Sequence, residues 1–176
     1  MNEQKKVKKK ILFTAIVLFV IQAFAGIPTP GVNMDYFKAL LEQNTTAGLF
    51  NVLSGNGLSN LSVTMLSITP YITASIILQL LTIAIPRLEE MQKDGEDGRK
   101  KINEYTRYLS IALAVIEGAA IVIGFRNQGL FGTDNPQSSM TTAIVVAVAA
   151  LTAGAAFMMW LGEQITEKGV GNGISI

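Results

Sequence analysis

Few residues in this 176-residue chain could carry chemistry. It has neither Cys nor His. That excludes thiol nucleophiles, Ser-His-Asp arrangements and most metal sites, and it leaves no disulfide framework to report on redox compartment. Two features remain. Glu117 sits near the middle of a long apolar run. A carboxylate there is costly in lipid and faces either a polar cavity or a partner; a protonated Glu bonded to a neighbouring backbone carbonyl is the alternative. Gly169-x-Gly171-x-Gly173 resembles a phosphate-binding loop only in its glycines, because the preceding strand and the Lys of such a loop are missing. It reads as a turn.

The elements that would position these residues follow from the hydropathy pattern. Hydrophobic residues make up 49% of the chain and lie in long blocks between charged stretches, and this patterning calls for a membrane. Lys5, Lys6, Lys8, Lys9 and Lys10 precede an uncharged run from Ile11 to Ile27. That run exceeds the ~7–15 apolar residues of a signal peptide and lacks an Ala-x-Ala-like closing site, so a first membrane helix is expected over about 11–27. Residues 28–66 form a long connection containing Pro28, Pro30, an amphipathic stretch (Met34 to Leu41) and a Gly/Asn/Ser-rich piece at 54–60. Asn44-Thr45-Thr46 and Asn60-Leu61-Ser62 match a glycosylation pattern that chance often produces.

Leu61 to Ile85 carries no charge, yet Pro70 removes a backbone donor inside it. Only ~22 Å of helix fits between Pro70 and Pro86. This predicts a short polar-flecked helix, a bend near Pro70, and a second membrane helix over about 67–85; a plain Pro-kinked helix is the alternative. Residues 86–104 are strongly charged and read as a solvated loop. Further membrane helices are expected at about 105–125 and 141–161, with a polar segment over 162–173. The pairs Ala149/Ala153 and Ala150/Gly154 suit close helix contact in lipid. The predicted class is an all-α integral membrane protein.

With the N-terminus in the cytoplasm, segments 1–10, 87–107 and 162–176 hold twelve of the fourteen basic residues, and only Lys38 and Arg126 lie outside. The positive-inside rule favours this orientation, and Tyr105, Tyr108 and Trp160 then fall at the cytoplasmic interface. A net charge of +1 gives no sign of nucleic-acid binding.

Four segments resemble the SecY/Sec61 family of protein-conducting channels, in its bacterial form. They are Gly26-Ile27-Pro28-Thr29-Pro30-Gly31-Val32, the stretch from Ile68 to Leu81, Gly95 to Tyr108, and Met159 to Ser175. They occur in the family's order along nearly the whole chain. The chain departs from the common pattern at Gln22, Ser67, Thr69 and in the 55–62 segment, which leaves open a housekeeping or an accessory member.

The resemblance implies the first four helices of a ten-helix SecY fold built as an inverted repeat, with a re-entrant plug. It implies a passive pore-forming subunit that passes secretory polypeptides across the membrane and membrane proteins laterally into it, with no enzyme activity and no cofactor or metal. The plug would comprise Gly55, Asn56, Gly57, Leu58, Ser59, Asn60, Leu61, Ser62, Val63 and Thr64; Gly/Ser-rich and weakly held, it is expected to move. Ile68 and Ile72 would form part of the pore ring, an aliphatic collar that excludes water without making specific bonds. Thr73, Ile76, Gln79 and Leu80 would line the lateral gate with Glu117, and Thr73 would be the partner of Glu117. Implied partners are SecE and SecG, the SecA ATPase, the ribosome, a translocating polypeptide with its signal sequence, the remainder of the SecY chain and the lipid bilayer. Two rival classes fit some features. Half of an inverted-repeat solute transporter would share a broken helix and an intramembrane Glu, whereas a membrane enzyme would have almost no reactive groups to use.

Overall fold

A computed structural model describes residues 2–33, 35, 61–126, 137–171 and 173, and all its regular elements are helices. α1 spans Asn2–Ala25, α2 Thr69–Ala84, α3 Pro86–Lys93, α4 Glu96–Arg126 and α5 Gln137–Lys168. Met34–Leu41 apart from Asp35, the Asn44 acceptor triplet, and the plug positions Gly55, Asn56, Gly57, Leu58, Ser59 and Asn60 lie outside the described residues.

α1 begins in the lysine-rich segment and carries it as helix. It ends at Ala25, where Gly26 and Ile27 donate to the carbonyls of Ala23 and Phe24 in tight turns. Its uncharged part, Ile11 to Ala25, is about 22 Å long, short of a ~30 Å hydrocarbon core. Among the described residues two helices, α4 and α5, are long and apolar enough to cross a membrane, or three spans if α2 and α3 are taken as one bent element.

The bend expected near Pro70 lies elsewhere. α2 starts at Thr69, so Pro70 occupies its first turn, where the missing N–H would have had no intrahelical acceptor. The 104° corner falls between Ala84 and Pro86. Ile85 is extended there, and Pro86 opens α3. The segment before α2 is not the short helix expected. It is a chain of turns in which Met65 donates to Ser62, Ser67 to Thr64 and Thr69 to Leu66, and Leu61 and Ser67 take positive φ of 39° and 50°. The hydroxyls of Ser62 and Thr64 compete there with helical bonding.

The charged 86–104 stretch is exposed as expected, but it is helical rather than a loop. Gly95, at φ 75°, turns the chain between α3 and α4, and Glu96 and Asp97 in the first turn of α4 favour its positive end. Gly98 is required by contact: a Cβ there would lie 1.6 Å from the Met91 carbonyl oxygen. α5 likewise runs on to Lys168, into the polar segment 162–173.

α2 buries Pro70, Ala74, Leu78 and Thr82, one residue per turn, against α4. α4 answers with a stripe of mostly small residues, Thr106, Ser110, Ala114 and Gly118, before Val122. The other side of this stripe meets α5 at Ala147, Leu151 and Ala155, and Leu61 and Leu66 from the turn segment complete the core. A second cluster joins Val17 of α1 to Leu161 and Ile165 of α5, with the Phe24 and Phe157 rings 4.7 Å apart beside it. Of the small-residue pairs on α5, Gly154 is buried while Ala149 and Ala153 face outward.

A Cβ on Gly154 would stand 1.8 Å from the Val63 carbonyl oxygen, so even Gly154→Ala must displace backbone. We expect it to destabilise the complete protein by about 2–4 kcal/mol. Gly124, where an added Cβ meets nothing within 4 Å, should accept Ala with no loss; thermal unfolding in detergent compares the two.

Candidate functional site

The uncovered face of α2 is aliphatic. Ile72, Ile76, Leu80 and Ile83 recur at helical spacing and are exposed, Ile72 by 41% and Ile83 by 81%. The opposite face is packed on α4. One element therefore shows a covered small-residue side and a bare aliphatic side. Ile68 is different: it caps α2, is half-buried, and its carbonyl accepts from the Tyr71 and Ile72 amides at 3.0 and 3.1 Å. The structure thus places the two isoleucines expected in a collar one turn apart at the head of α2, Ile68 beside Gly162 of α5 and Ile72 exposed.

Just before α2, residues 61–64, the described end of the segment expected to form a plug, are firmly held. Leu61 and Ser62 are fully buried and Thr64 nearly so. Pro28 and Ser62 form an isolated antiparallel bridge. Around it the Thr29 amide donates to the Leu61 carbonyl (3.0 Å) and the Val63 amide to that of Ile27 (3.1 Å), while the Thr29 hydroxyl also donates to Leu61. Ser62 Oγ donates to the Phe24 carbonyl at 3.1 Å. Its one proton is used there, so at 3.0 Å the Thr64 hydroxyl is the donor to Ser62, and the Thr64 amide donates to the same oxygen. These bonds tie residues 61–64 to the end of α1 and to the segment that follows it.

The expected pairing of Thr73 with Glu117 is not made. α2 and α4 run antiparallel, with Gly118 beside Leu66 and Ser110 and Ala114 beside Pro70 and Tyr71. Thr73 therefore stands on the order of 10 Å along the axis from Glu117. Its hydroxyl donates to the Thr69 carbonyl at 3.0 Å, while Glu117 is half-buried. Gln79 is exposed and donates to Ser75 Oγ.

One feature was missed from the sequence. Arg107 Nε donates to Glu163 Oε1 at 2.7 Å, joining α4 to α5. Both residues lie at the edges of apolar runs, which was the available signal, but they are 56 positions apart and only the packing of α4 on α5 brings them together.

Apolar spans, a helix corner and a bare aliphatic face define a multi-pass α-helical membrane protein. Comparison with known proteins specifies which. The family model for SecY matches residues 62–176. The protein translocase subunit SecY of Pseudomonas aeruginosa is 48% identical over 170 residues, covering 95% of this chain and 37% of that protein. Its counterpart in Streptomyces scabiei is 44% identical over 179 residues, covering 96% and 41%. A chain of Sec61 in the canine ribosome-channel complex from the endoplasmic reticulum shares the fold with a TM-score of 0.60 at 20% identity, over 96% of this chain and 34% of that one. The chain belongs to the SecY family, and it spans about two fifths of the length of the curated relatives it matches.

Ser62→Ala would leave the Phe24 carbonyl and the Thr64 hydroxyl without their partner; we expect a loss of about 1–3 kcal/mol in denaturant unfolding of the complete protein, and an unchanged midpoint would show that the tie contributes nothing. For Arg107 and Glu163, side-chain exposures of 48% and 18% call for a discount, so a double-mutant cycle with Arg107→Gln and Glu163→Gln should give roughly 0.5–1 kcal/mol of coupling.

Proposed function

We propose that this chain is the N-terminal part of the central pore-forming subunit of a Sec translocon, a passive channel for secretory polypeptides across, and membrane proteins laterally into, the cytoplasmic membrane. It crosses the bilayer four times, by α1, α2, α4 and α5, with its N-terminus and α3 in the cytoplasm. The twelve-to-two distribution of basic residues supports that orientation. SecE and SecG are its membrane companions, and SecA or a translating ribosome supplies the energy, since the chain itself performs no covalent step.

The observation that carries this reading is the bare face of α2 in a member of the SecY family. Ile72, Ile76 and Leu80 offer aliphatic surface with no specific bonding demand. Such a wall suits a substrate of arbitrary sequence and excludes water when none is present. Ile68 and Ile72 act as pore-ring residues at its head. Thr73, Ile76, Gln79, Leu80 and Glu117 belong to the lateral gate, with Glu117 held apart from Thr73 and directed to groups contributed by the rest of the channel. The plug begins upstream of Leu61 and is anchored at Leu61–Thr64.

The test uses the complete channel carrying Ile72→Cys and a secretory polypeptide, itself bearing one Cys, stalled in transit. A disulfide that depends on the stalled chain is expected. Absence of that crosslink, together with free labelling of the resting channel by small aqueous thiol reagents, would overturn the reading in favour of a solute pore.

A further inference from the structure

We infer that Gly162 is a positioning residue for the pore collar: its missing side chain is the seat that fixes where Ile68 stands. The inference rests on the collar reading proposed above. Gly162 is buried on α5, and the position a Cβ would take there is 3.1 Å from Ile68 Cδ1 and 3.4 Å from the Gly173 carbonyl oxygen. The gap is closed from two directions. A side chain at 162 could not swing away from Ile68 without meeting the backbone of the turn that follows α5.

That turn is itself tied down. The Thr166 hydroxyl donates to the Gly162 carbonyl at 3.1 Å and accepts the Gly173 amide at 2.9 Å. A Cβ on Gly173 would lie 2.1 Å from the Gly162 carbonyl oxygen, so backbone rests on backbone. The Val170 amide donates to Thr14 Oγ1 at 3.1 Å, which fastens the same turn to α1. On the other side, Ile68 can yield only at its tip, by rotation about χ2. Its carbonyl is held by two amides of α2, and a β-branched side chain is stiff at χ1. The Gly-x-Gly-x-Gly motif, which suggested a phosphate loop by composition, thus serves close contact. It lets the turn after α5 reach Gly162, and Gly162 in turn receives the tip of a collar isoleucine.

The experiment measures resting ion conductance of the complete channel in planar bilayers. Gly162→Ala should raise it about fivefold, and Gly162→Val more, because a displaced collar side chain admits water. Gly124→Ala, which touches nothing, should match the wild type. Adding Ile68→Val to Gly162→Ala removes the Cδ1 atom that the new methyl crowds and should return the conductance to that of Ile68→Val alone. A purely structural defect at 162 would not be repaired in this way. Unchanged conductance in Gly162→Ala, or no repair in the double variant, overturns the inference. If Gly162→Ala fails to accumulate, the near-isosteric Thr166→Val, which removes the tie, is read by the same measurement and is expected to leak; a tight Thr166→Val channel overturns it equally. The Ile72→Cys crosslink is recorded alongside: a crosslink with unchanged conductance removes the seat and keeps the collar, and a missing crosslink in the otherwise unaltered channel removes both.

Discussion

The short stretch of backbone pairing between residues 27–29 and 61–63 is the constraint on which the rest of this structure depends. Among the described residues it joins the segment leaving α1 to the segment entering α2, and it is stitched by hydroxyls as well as by main chain. Buried polar groups are costly unless bonded, and Thr29, Ser62 and Thr64 satisfy one another and the neighbouring carbonyls. Once Leu61 and Ser62 are fixed, Leu66 reaches the groove between α4 and α5, and Val63 comes to rest on Gly154. α2 then has to begin where it does, with one face on α4 and the other uncovered.

Small residues make the packing possible. Lipid offers no hydrophobic drive for helix association, so close approach and interhelical bonds carry it. The α4 stripe of Thr106, Ser110, Ala114 and Gly118 lets α2 and α5 approach from two sides. The Ser110 hydroxyl donates to the Arg107 carbonyl at 2.8 Å and lies 3.2 Å from the Met159 sulfur. At the far end of this contact, Arg107 and Glu163 bring opposite charges together where the apolar runs give out.

Much of this was legible in the amino-acid order because apolar block length and the placement of lysines and arginines are strong signals. The family was legible from long stretches such as Ile68 to Leu81. The misreadings have specific causes. A proline was taken as a break within the second helix, yet Pro70 is harmless at a helix start and Pro86 marks the corner, and nothing in their immediate neighbours distinguishes the two. Residues 86–104 were read as a loop from their charge, which governs exposure but not backbone conformation; Glu96 and Asp97 ahead of a long run were a helix-start signal. The Thr73–Glu117 pairing needed the register of two antiparallel helices, which periodicity does not supply. Glycines and serines suggest a weakly held segment, whereas at its described end Ser62 and Thr64 use their hydroxyls to fix residues 61–64.

The corner at Ile85 has a mechanical meaning. A helix deflected through 104° cannot slide along its own axis without dragging the piece beyond the bend. α3 leads into Gly95, and Gly98 sits hard against the Met91 carbonyl, so the start of α4 is wedged under α3. The three helices are therefore joined by contact into a bracket. Any force that tilts the aliphatic face of α2 is passed through the bracket to α4, and then by way of Arg107 to α5. Among the described residues, the side of α2 lined by Ile72, Ile76 and Leu80 carries no such brace.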